Sequence, residues 1–298
     1  MRTRLTRTEP ALAGRTALVT GVTSGIGRAT AEALLTQGVH VVGCARDEER
    51  LALVAADLPG LVGMRADVRV AADRAALVEA VLDRFGALDV LVNNAGVGYF
   101  GTVADMTADD VERIVATNVT GLVDLTRLVL PGMLRRGSGD VVMLSSAAIW
   151  LTLPPLTVYA ASKHAVDGFV VGLRRELAGT GVRVSSVNPG FVATEFLARA
   201  QRRHPREGEV PRAPGIGPGY VARQVVSVLS PGRGRTVAVP RLLGAARLLT
   251  VPPFTYAVDA GVRLTRRPLV RLGRGIAASR GGRRRLAQDG GGSSGTWL

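Results

Sequence analysis

The regular alternation of short apolar runs with longer helical patterns is the sequence feature that most constrains this fold. The apolar runs begin at Thr16–Thr20, recur up to Val182–Val187 and have a seventh candidate at Thr236–Val239. Strands that alternate with helices of this length form βαβ units around a parallel sheet. Val141–Leu144 is apolar throughout, which is typical of a strand buried on both faces. We therefore predict an α/β fold with a doubly wound parallel sheet of about seven strands.

Two of the predicted helices carry signals for where they end or break. The pattern over Ala72–Phe85 stops at Gly86, and glycine commonly terminates helices. The long periodic segment Thr107–Leu134 predicts one helix with a break near Pro131. The break is expected because proline removes a backbone donor from the helix interior.

Length and composition favour one large domain over two small ones. The chain has 298 residues, of which 47% are hydrophobic, enough to bury a sizeable core. We assign residues 1–240 to the α/β domain, 241–280 to an amphipathic basic C-terminal extension and 281–298 to a disordered tail rich in Gly, Arg and Ser. No stretch of the extension has the roughly 18 uncharged apolar residues that a membrane-spanning helix needs.

Positive charge is concentrated in the last third of the chain. Residues 1–198 contain 19 Lys and Arg against 20 acids, whereas residues 199–298 contain 19 Arg against 4 acids. Such a segment can contact nucleic acid, an anionic membrane surface or an acidic partner. No aromatic residues alternate with the arginines, which disfavours nucleic acid. The single cysteine, Cys44, indicates a reducing compartment, so we expect a cytoplasmic protein that can be peripheral at the membrane.

A glycine-rich segment, TGVTSGIG from Thr20 to Gly27, follows the first strand and opens a helix. Glycine permits a tight turn and close approach to a pyrophosphate, and the helix N-terminus offers free N–H groups. The segment therefore predicts a nucleotide site. The cofactor-binding residues expected in it are Gly21, Thr23, Ser24, Gly25, Ile26 and Gly27.

The end of the second strand indicates which nucleotide is bound. An acidic residue there would bind the 2′-hydroxyl of NAD, but this chain has Cys44-Ala45-Arg46. Ala45 leaves room, and the guanidinium of Arg46 can reach a 2′-phosphate. We therefore predict NADP(H) as the cofactor. The alternative interpretation of Arg46 is a solvated arginine on a loop.

Tyr159 and Lys163 are spaced i, i+4 and so share one face of a predicted helix. A tyrosine hydroxyl has a pKa of about 10, too high for efficient proton exchange at neutral pH, and a nearby ammonium lowers it. Lys163 is the only lysine among 38 cationic residues. Its retention indicates that an amine is needed there, because arginine does not readily deprotonate. The alternative is an ordinary amphipathic helix start.

Polar residues end other predicted strands, at the sheet edge where parallel α/β proteins bind ligands. Ser145 and Ser146 end the fifth strand, and a serine there can hydrogen-bond a substrate oxygen. Asn118 lies in an apolar helical stretch, so we expect its amide to hold a water or a backbone group. The other polar or small residues at these strand ends are Asn93, Asn94, Ala95, Gly96, Asn188, Pro189, Gly190 and, further along, Thr194.

Together these motifs resemble the short-chain dehydrogenase/reductase family over roughly Gly14 to Phe196. They occur in the family's order: the TGVTSGIG turn, Asp67-Val68, NNAG, Ser146 thirteen residues before Tyr159, and YAASK. The resemblance implies a Rossmann-type domain and hydride transfer between NADP(H) and an alcohol/carbonyl pair. No metal is expected, because the three histidines show no metal-ligand spacing.

The resemblance also implies roles for individual residues. Tyr159 would be the catalytic acid/base, Lys163 would lower its pKa and bind the nicotinamide ribose, and Ser146 would orient and polarise the substrate. Asn118 would hold the water that links Lys163 to solvent. The implied cofactor contacts are Asp67 and Val68 at the adenine, Asn94, Ala95 and Gly96 along the groove, Pro189, Gly190 and Val192 after the sixth strand, and Thr194 near the nicotinamide amide.

The segments Ala147–Leu156 and Phe191–Ala200 are expected to line the substrate pocket. Ile149 and Trp150 are apolar and no fixed charge stands out, so we expect a lipophilic alcohol or ketone, such as a steroid, a retinoid or an acyl-derived compound of lipid metabolism. A 3-oxoacyl-thioester reductase is the alternative within the enzyme class.

A non-catalytic nucleotide-sensing or nucleic-acid- or membrane-binding protein is the alternative of another class, disfavoured because all catalytic residues are present. We also expect a homo-oligomer, and an extension that forms a membrane-surface contact, a lid or a subunit contact. A plainly packed or solvated extension is the alternative.

Overall fold

The structure is a computed structural model and describes residues 12–150, 152, 154–196, 200, 215–229, 234–250 and 259. All seven predicted strands are present in one parallel sheet with the order β3-β2-β1-β4-β5-β6-β7. Because the strand order reverses between β1 and β4, a crevice opens beyond their carboxyl ends. The strands are β1 Thr16–Thr20, β2 His40–Ala45, β3 Leu61–Arg65, β4 Val90–Asn93, β5 Gly139–Leu144, β6 Val182–Pro189 and β7 Thr236–Val239.

Helices cover both faces of the sheet, which confirms the doubly wound architecture. One hydrophobic cluster lies under α1, α2 and α7, and a second lies under α3, α5 and α6. The helices are α1 Gly25–Leu35, α2 Glu48–Asp57, α3 Ala71–Phe85, α4 Ala108–Val115, α5 Gly121–Arg136, α6 Thr157–Glu176 and α7 Pro218–Ser227. As predicted, α3 ends at Gly86, which adopts a left-handed conformation with φ 73°.

The long helix predicted over Thr107–Leu134 is distorted at a different place from the one expected. Pro131 lies inside α5, on its exposed side, and does not end the helix. The irregularity is instead a π-helical turn, Ala116–Thr120, between α4 and α5. Such π-turns occur mostly as local bulges and frequently at functional sites. Here the turn carries the buried Asn118.

The combined helix Ala108–Arg136 is long and apolar enough, by length and composition alone, to cross a membrane. Core helices pass the same test, and this helix places Ile114, Leu125 and Met133 fully inside the protein. It therefore serves here as a layer of the α/β core.

Only the beginning of the predicted extension can be described. Arg241–Thr250 forms a 3₁₀ helix directly after β7. Its residues Leu243 and Ala246 pack against a small cluster containing Ile149 and Trp150. The remainder of the extension, apart from residue 259, and the tail predicted over 281–298 lie outside the described residues.

Candidate active site

The carboxyl ends of β1 and β4 are joined by side chain to backbone hydrogen bonds. The Thr20 hydroxyl accepts from the backbone N–H of Asn94 at 2.9 Å and of Ala95 at 2.8 Å. In return, the Asn94 amide donates to the carbonyls of Thr20 at 2.8 Å and Gly21 at 3.2 Å. Asn94, predicted to line the cofactor groove, thus also braces the glycine turn.

The glycine turn has the shape of a phosphate cradle. Gly21 has φ +72°, and a Cβ on Gly27 would overlap the Gly21 carbonyl and lie 2.5 Å from the Asn94 amide nitrogen. Ser24 is the N-cap of α1 without a side-chain capping bond, and the first turn carries no acid. The N–H groups of the turn therefore remain suited to an anion. Thr23, Ser24, Gly25 and Ile26 are all partly exposed along this turn.

Arg46 and Asp67 follow β2 and β3 at the edge of the same crevice. Arg46 is exposed, and Asp67 is partly buried. The Asp67 carboxylate accepts hydrogen bonds from Arg69 through Nη2 at 2.6 Å and through the backbone N–H at 3.0 Å. Burial raises the pKa of Asp67, but the Arg69 bonds and the charges of Arg69 and Arg46 outweigh it, so the net pKa is lowered. Arg69 was not among the residues predicted from the sequence, and its place two residues after Asp67 was the signal that could have indicated it.

Val68, the residue after Asp67, is held in place through its backbone carbonyl. Its side chain is 9% exposed, and its carbonyl accepts a 2.6 Å bond from the buried Arg74. Helix α5 also packs closely on this carbonyl. A Cβ on Gly121, the first residue of α5, would lie only 2.5 Å from the carbonyl oxygen of Val68. The adenine contacts expected of Asp67 and Val68 remain predictions.

Lys163 projects from α6 into the polar layer at the carboxyl ends of the strands. Its side chain is buried, and Nζ donates to the Leu144 carbonyl at 2.8 Å. Nζ lies 5.9 Å from the centre of the Tyr159 ring, one helical turn away. Burial lowers the pKa of Lys163 to about 8 because a low-dielectric environment disfavours the charged form.

Ser146, at the end of β5, is hydrogen-bonded to the hydroxyl of Tyr159. Its Oγ also accepts from the Ala148 backbone N–H at 3.1 Å. Ser145 is directed elsewhere, since its buried hydroxyl donates to the Lys163 carbonyl at 3.4 Å. The structure therefore places Ser146, the serine chosen from its spacing to Tyr159, beside the tyrosine.

The pKa of Tyr159 departs from our expectation. Burial raises the pKa of the phenol, and the hydrogen bond with Ser146 lowers it by less, so the net shift is upward. We expected Lys163 to lower this pKa. The ammonium instead bonds the Leu144 carbonyl, and desolvation of the ring dominates.

Asn118 holds a backbone group, one of the two partners expected for it. Its Oδ1 accepts from the Val97 N–H at 2.8 Å, and its Nδ2 donates to the Val97 carbonyl at 2.9 Å. Nδ2 also donates to the Ser162 hydroxyl at 3.0 Å, which in turn donates to the Tyr159 carbonyl at 2.6 Å. The water implied for Asn118 remains a prediction. Ser162, three residues after Tyr159 on the same helix, was not among the residues predicted from the sequence.

Gly96 leaves space beside these two groups. A Cβ there would lie 3.4 Å from Asn118 Oδ1 and 3.6 Å from Lys163 Nζ. Ala95, its neighbour, packs against the second hydrophobic cluster. The groove beside the lysine is thus lined by small residues, as the NNAG sequence predicts.

The segment after β6 contacts both the glycine turn and the tyrosine. The Thr194 methyl lies 3.0 Å from the position of a Cβ on Gly25. The Phe196 ring lies 5.4 Å from the Tyr159 ring, tilted by 56°, and 3.0 Å from the position of a Cβ on Gly98. Pro189 ends β6, the Gly190 N–H donates to the Val239 carbonyl at 2.8 Å, and Val192 forms a bridge with Ile216.

Two residues expected to line the substrate pocket are placed differently. Ile149 and Trp150 pack against Leu243 and Ala246 of the extension. They border a cleft of about 680 Å³ whose wall includes His164 and Asp167 but not Tyr159. The side chains of Ile149 and Trp150 therefore pack against the extension and do not line a pocket at Tyr159. Leu151 and Leu153, also expected in the pocket, lie outside the described residues.

Comparisons with known proteins agree with this arrangement. The short chain dehydrogenase family matches residues 15–205. A putative ketoacyl reductase from Streptomyces coelicolor is 38% identical over 241 residues, covering 74% of this chain and 92% of the relative.

Two solved structures share the fold. A short chain dehydrogenase/reductase from Burkholderia phymatum in complex with NAD has a TM-score of 0.72 and 31% identity, covering 80% of this chain and 93% of its own. An actinorhodin polyketide ketoreductase with NADPH has a TM-score of 0.70 and 35% identity, covering 76% and 97%.

Fold, site and relatives define an oxidoreductase that uses a nicotinamide nucleotide. More particularly, the chain belongs to the short-chain dehydrogenase/reductase family.

Proposed function

We propose that this protein is an NADPH-dependent reductase of the keto group of an acyl-derived substrate. The observation that carries the proposal is the convergence of Tyr159, Ser146 and Lys163 at the carboxyl ends of the strands, next to a glycine cradle. The names of the similar proteins, a putative ketoacyl reductase and a polyketide ketoreductase, support the substrate class.

The choice of NADPH rests on charge at the edge of the crevice. Ala45 ends β2 without a carboxylate, and the exposed Arg46 follows it. Asp67, at the same edge, is paired with Arg69, and Asp47, the residue after Arg46, is paired with Arg50. No salt bridge of Arg46 is found within the part of the chain that the structure describes. Its guanidinium can therefore bind a 2′-phosphate through paired N–H donors.

Ketone reduction requires a hydride at the carbonyl carbon and a proton at the carbonyl oxygen. The glycine turn, Asn94 and Thr194 would hold a nicotinamide cofactor, which would supply the hydride. Tyr159 Oη donates the proton to the oxygen, and Ser146 Oγ donates a hydrogen bond to the same oxygen as negative charge develops. With a raised pKa, the phenol of Tyr159 is protonated at neutral pH and so carries the proton that the carbonyl oxygen needs.

A broader class of lipophilic alcohol or ketone, including steroids and retinoids, is the second candidate substrate. The apolar ring of Phe196 against Tyr159 favours it. The sequence favoured this class because Ile149 and Trp150 were expected to line the substrate pocket. That support is weaker in the structure, because both residues pack against the extension. An acyl-derived ketone satisfies both observations, since its carbonyl can reach Tyr159 while an apolar chain contacts Phe196.

NADPH consumption with a 3-oxoacyl thioester, compared with a cyclic lipophilic ketone, tests the proposal. We expect turnover of the thioester. The Tyr159→Phe variant should keep NADPH binding and lose about 10²- to 10⁴-fold in kcat, the usual contribution of a general acid. Turnover of the cyclic ketone alone would favour the second candidate. A Tyr159→Phe protein as active as wild type would reject the mechanism and favour the non-catalytic scaffold.

The remaining expectations stay proposals with separate supports. A cytoplasmic location rests on the single cysteine, which is buried. A homo-oligomer rests on the family resemblance alone. Sedimentation equilibrium of the purified chain tests the homo-oligomer, and a monomer at micromolar concentration would reject it.

A further inference from the structure

The 3₁₀ helix Arg241–Thr250 sorts its residues into three faces. A 3₁₀ helix has three residues per turn, so positions i, i+3 and i+6 align. Leu243 and Ala246 form the inner face and pack against Ile149 and Trp150. This contact fixes the orientation of the helix on the protein. Arg247 and Leu248, which belong to the other two faces, border the open cleft beside Ile149 and Trp150 and remain exposed.

The outer face is apolar and exposed. It consists of Leu242, Ala245 and Leu248, and the two leucines are 86% and 61% exposed. Leu242 is the most exposed large hydrophobic residue among those that the structure describes. Isolated exposed leucines are common, but leucines aligned on one face of a helix mark an interaction surface.

The third face is basic. Arg241 and Arg247 align on it, and both are exposed. The sequence contains no Asp or Glu from residue 210 to residue 258, and residues 251–298 add nine Arg against two Asp. Asp167 is an acid that borders the same cleft as Arg247. The segment nevertheless combines exposed leucines with an excess of arginines, and such a surface complements an interface with an apolar interior and an anionic outer layer.

From these faces we infer that Leu242, Ala245, Leu248, Arg241 and Arg247 form a docking surface for an anionic lipid bilayer. The leucines enter the acyl boundary while the arginines contact the phosphate and carboxylate headgroups. The inference concerns where the enzyme acts and is independent of its substrate, because none of these residues belongs to the Tyr159 site. An acyl-derived or otherwise lipophilic substrate would be met at the same surface.

Cosedimentation of the purified full-length protein with vesicles tests the inference. We compare phosphatidylcholine alone with phosphatidylcholine containing about 30% phosphatidylserine, an anionic lipid that attracts basic segments. The wild type should bind the anionic vesicles, and added salt should weaken the binding because it screens the arginines. The Leu242→Ser/Leu248→Ser variant should lose at least about tenfold in partition coefficient.

Leu53→Ser provides the matched control, because Leu53 is a 68% exposed leucine on α2. It should bind vesicles as the wild type does, and all variants should keep the NADPH-dependent activity in vesicle-free buffer. Failure of the wild type to bind anionic vesicles would overturn the inference, as would unchanged binding of the double variant. A wild-type oligomer that dissociates in the double variant would assign the surface to a second copy of the chain and overturn it equally.

Discussion

Two parts of the site are held in place by different forces. Around β1, β4 and β5, polar side chains are fixed by hydrogen bonds to backbone, as in Thr20 with Asn94 and Lys163 with Leu144. After β6 and β7, backbone hydrogen bonds such as that of Gly190 with Val239 are present, but the side chains contact their neighbours through apolar groups, as in Phe196 with Tyr159 and Leu243 with the cluster that contains Trp150.

The two kinds of contact suit two different roles in the site. Buried hydrogen bonds are directional and costly to break, so they hold catalytic groups in one geometry. Apolar contacts depend on area more than on direction, so the segments after β6 and β7 can change without disturbing the proton chemistry. The first part should therefore determine the reaction, and the second the substrate and the location.

The largest effect should follow from breaking the polar part at Asn118. Asn118→Ala removes three hydrogen bonds from a fully buried amide and leaves the Val97 backbone groups without it. We expect a loss of unfolding free energy of about 1–3 kcal/mol and a fall in kcat of about 10²-fold, because Ser162, which bonds the Tyr159 carbonyl, loses its hydrogen bond from Asn118. Chemical denaturation and steady-state kinetics measure the two losses.

Asn93→Ala is the matched control for this variant. Asn93 is also a buried amide at the end of β4, but it donates to Thr126 and Met143 rather than to the catalytic layer. It should lose stability and keep kcat per folded molecule. An Asn118→Ala protein that loses only stability would show that Asn118 plays no positioning role.

The titration of Lys163 provides a second test of the polar part. Burial lowers the pKa of Lys163 to about 8, whereas a lysine in an unfolded chain titrates at about 10.4. Between these values the unfolded chain binds more protons, so this group makes the unfolding free energy rise with pH. Below pH 8, the folded protein bears the full penalty of the buried ammonium.

Because Lys163 is the only lysine, selective ¹³C labelling of lysine gives a single side-chain resonance to follow. We expect its midpoint near pH 8 in the folded protein and a return to the ordinary value in denaturant. A midpoint above pH 10 in the folded protein would mean that Lys163 is solvated, contrary to the buried position described here.

A smaller effect is expected from the apolar part. Phe196→Ala removes a ring that contacts Tyr159 and covers Gly98. A contact of similar strength between the Phe196 ring and the apolar chain of the substrate, about 0.5–1.5 kcal/mol, would correspond to at most about tenfold in KM. Phe191→Ala, on the exposed start of the same segment, should leave KM unchanged. Equal effects of the two variants on KM would place the substrate elsewhere.

The two parts also differ in how well the sequence predicts them. Local properties of the sequence predict several features. The alternation of apolar runs predicts the strands, glycine chemistry predicts the glycine turn, and spacing along the chain predicts Ser146 and the Tyr159–Lys163 pair. The π-turn at Asn118, the pairing of Asp67 with Arg69 and the packing of Trp150 on the extension depend on residues brought together by the fold. The upward shift of the Tyr159 pKa also depends on the fold, because burial causes it and the helical spacing of Tyr159 and Lys163 does not reveal burial.

A fluorescence titration with NADPH and with NADH tests most directly whether this site is an NADPH-dependent reductase site. It uses the wild type and Arg46→Asp, with Arg50→Asp as a control because Arg50 is exposed and paired with Asp47. We predict a clear preference of the wild type for NADPH that collapses in Arg46→Asp and persists in Arg50→Asp. Equal binding of both nucleotides by the wild type would show that Arg46 is a solvated surface residue and would contradict the account.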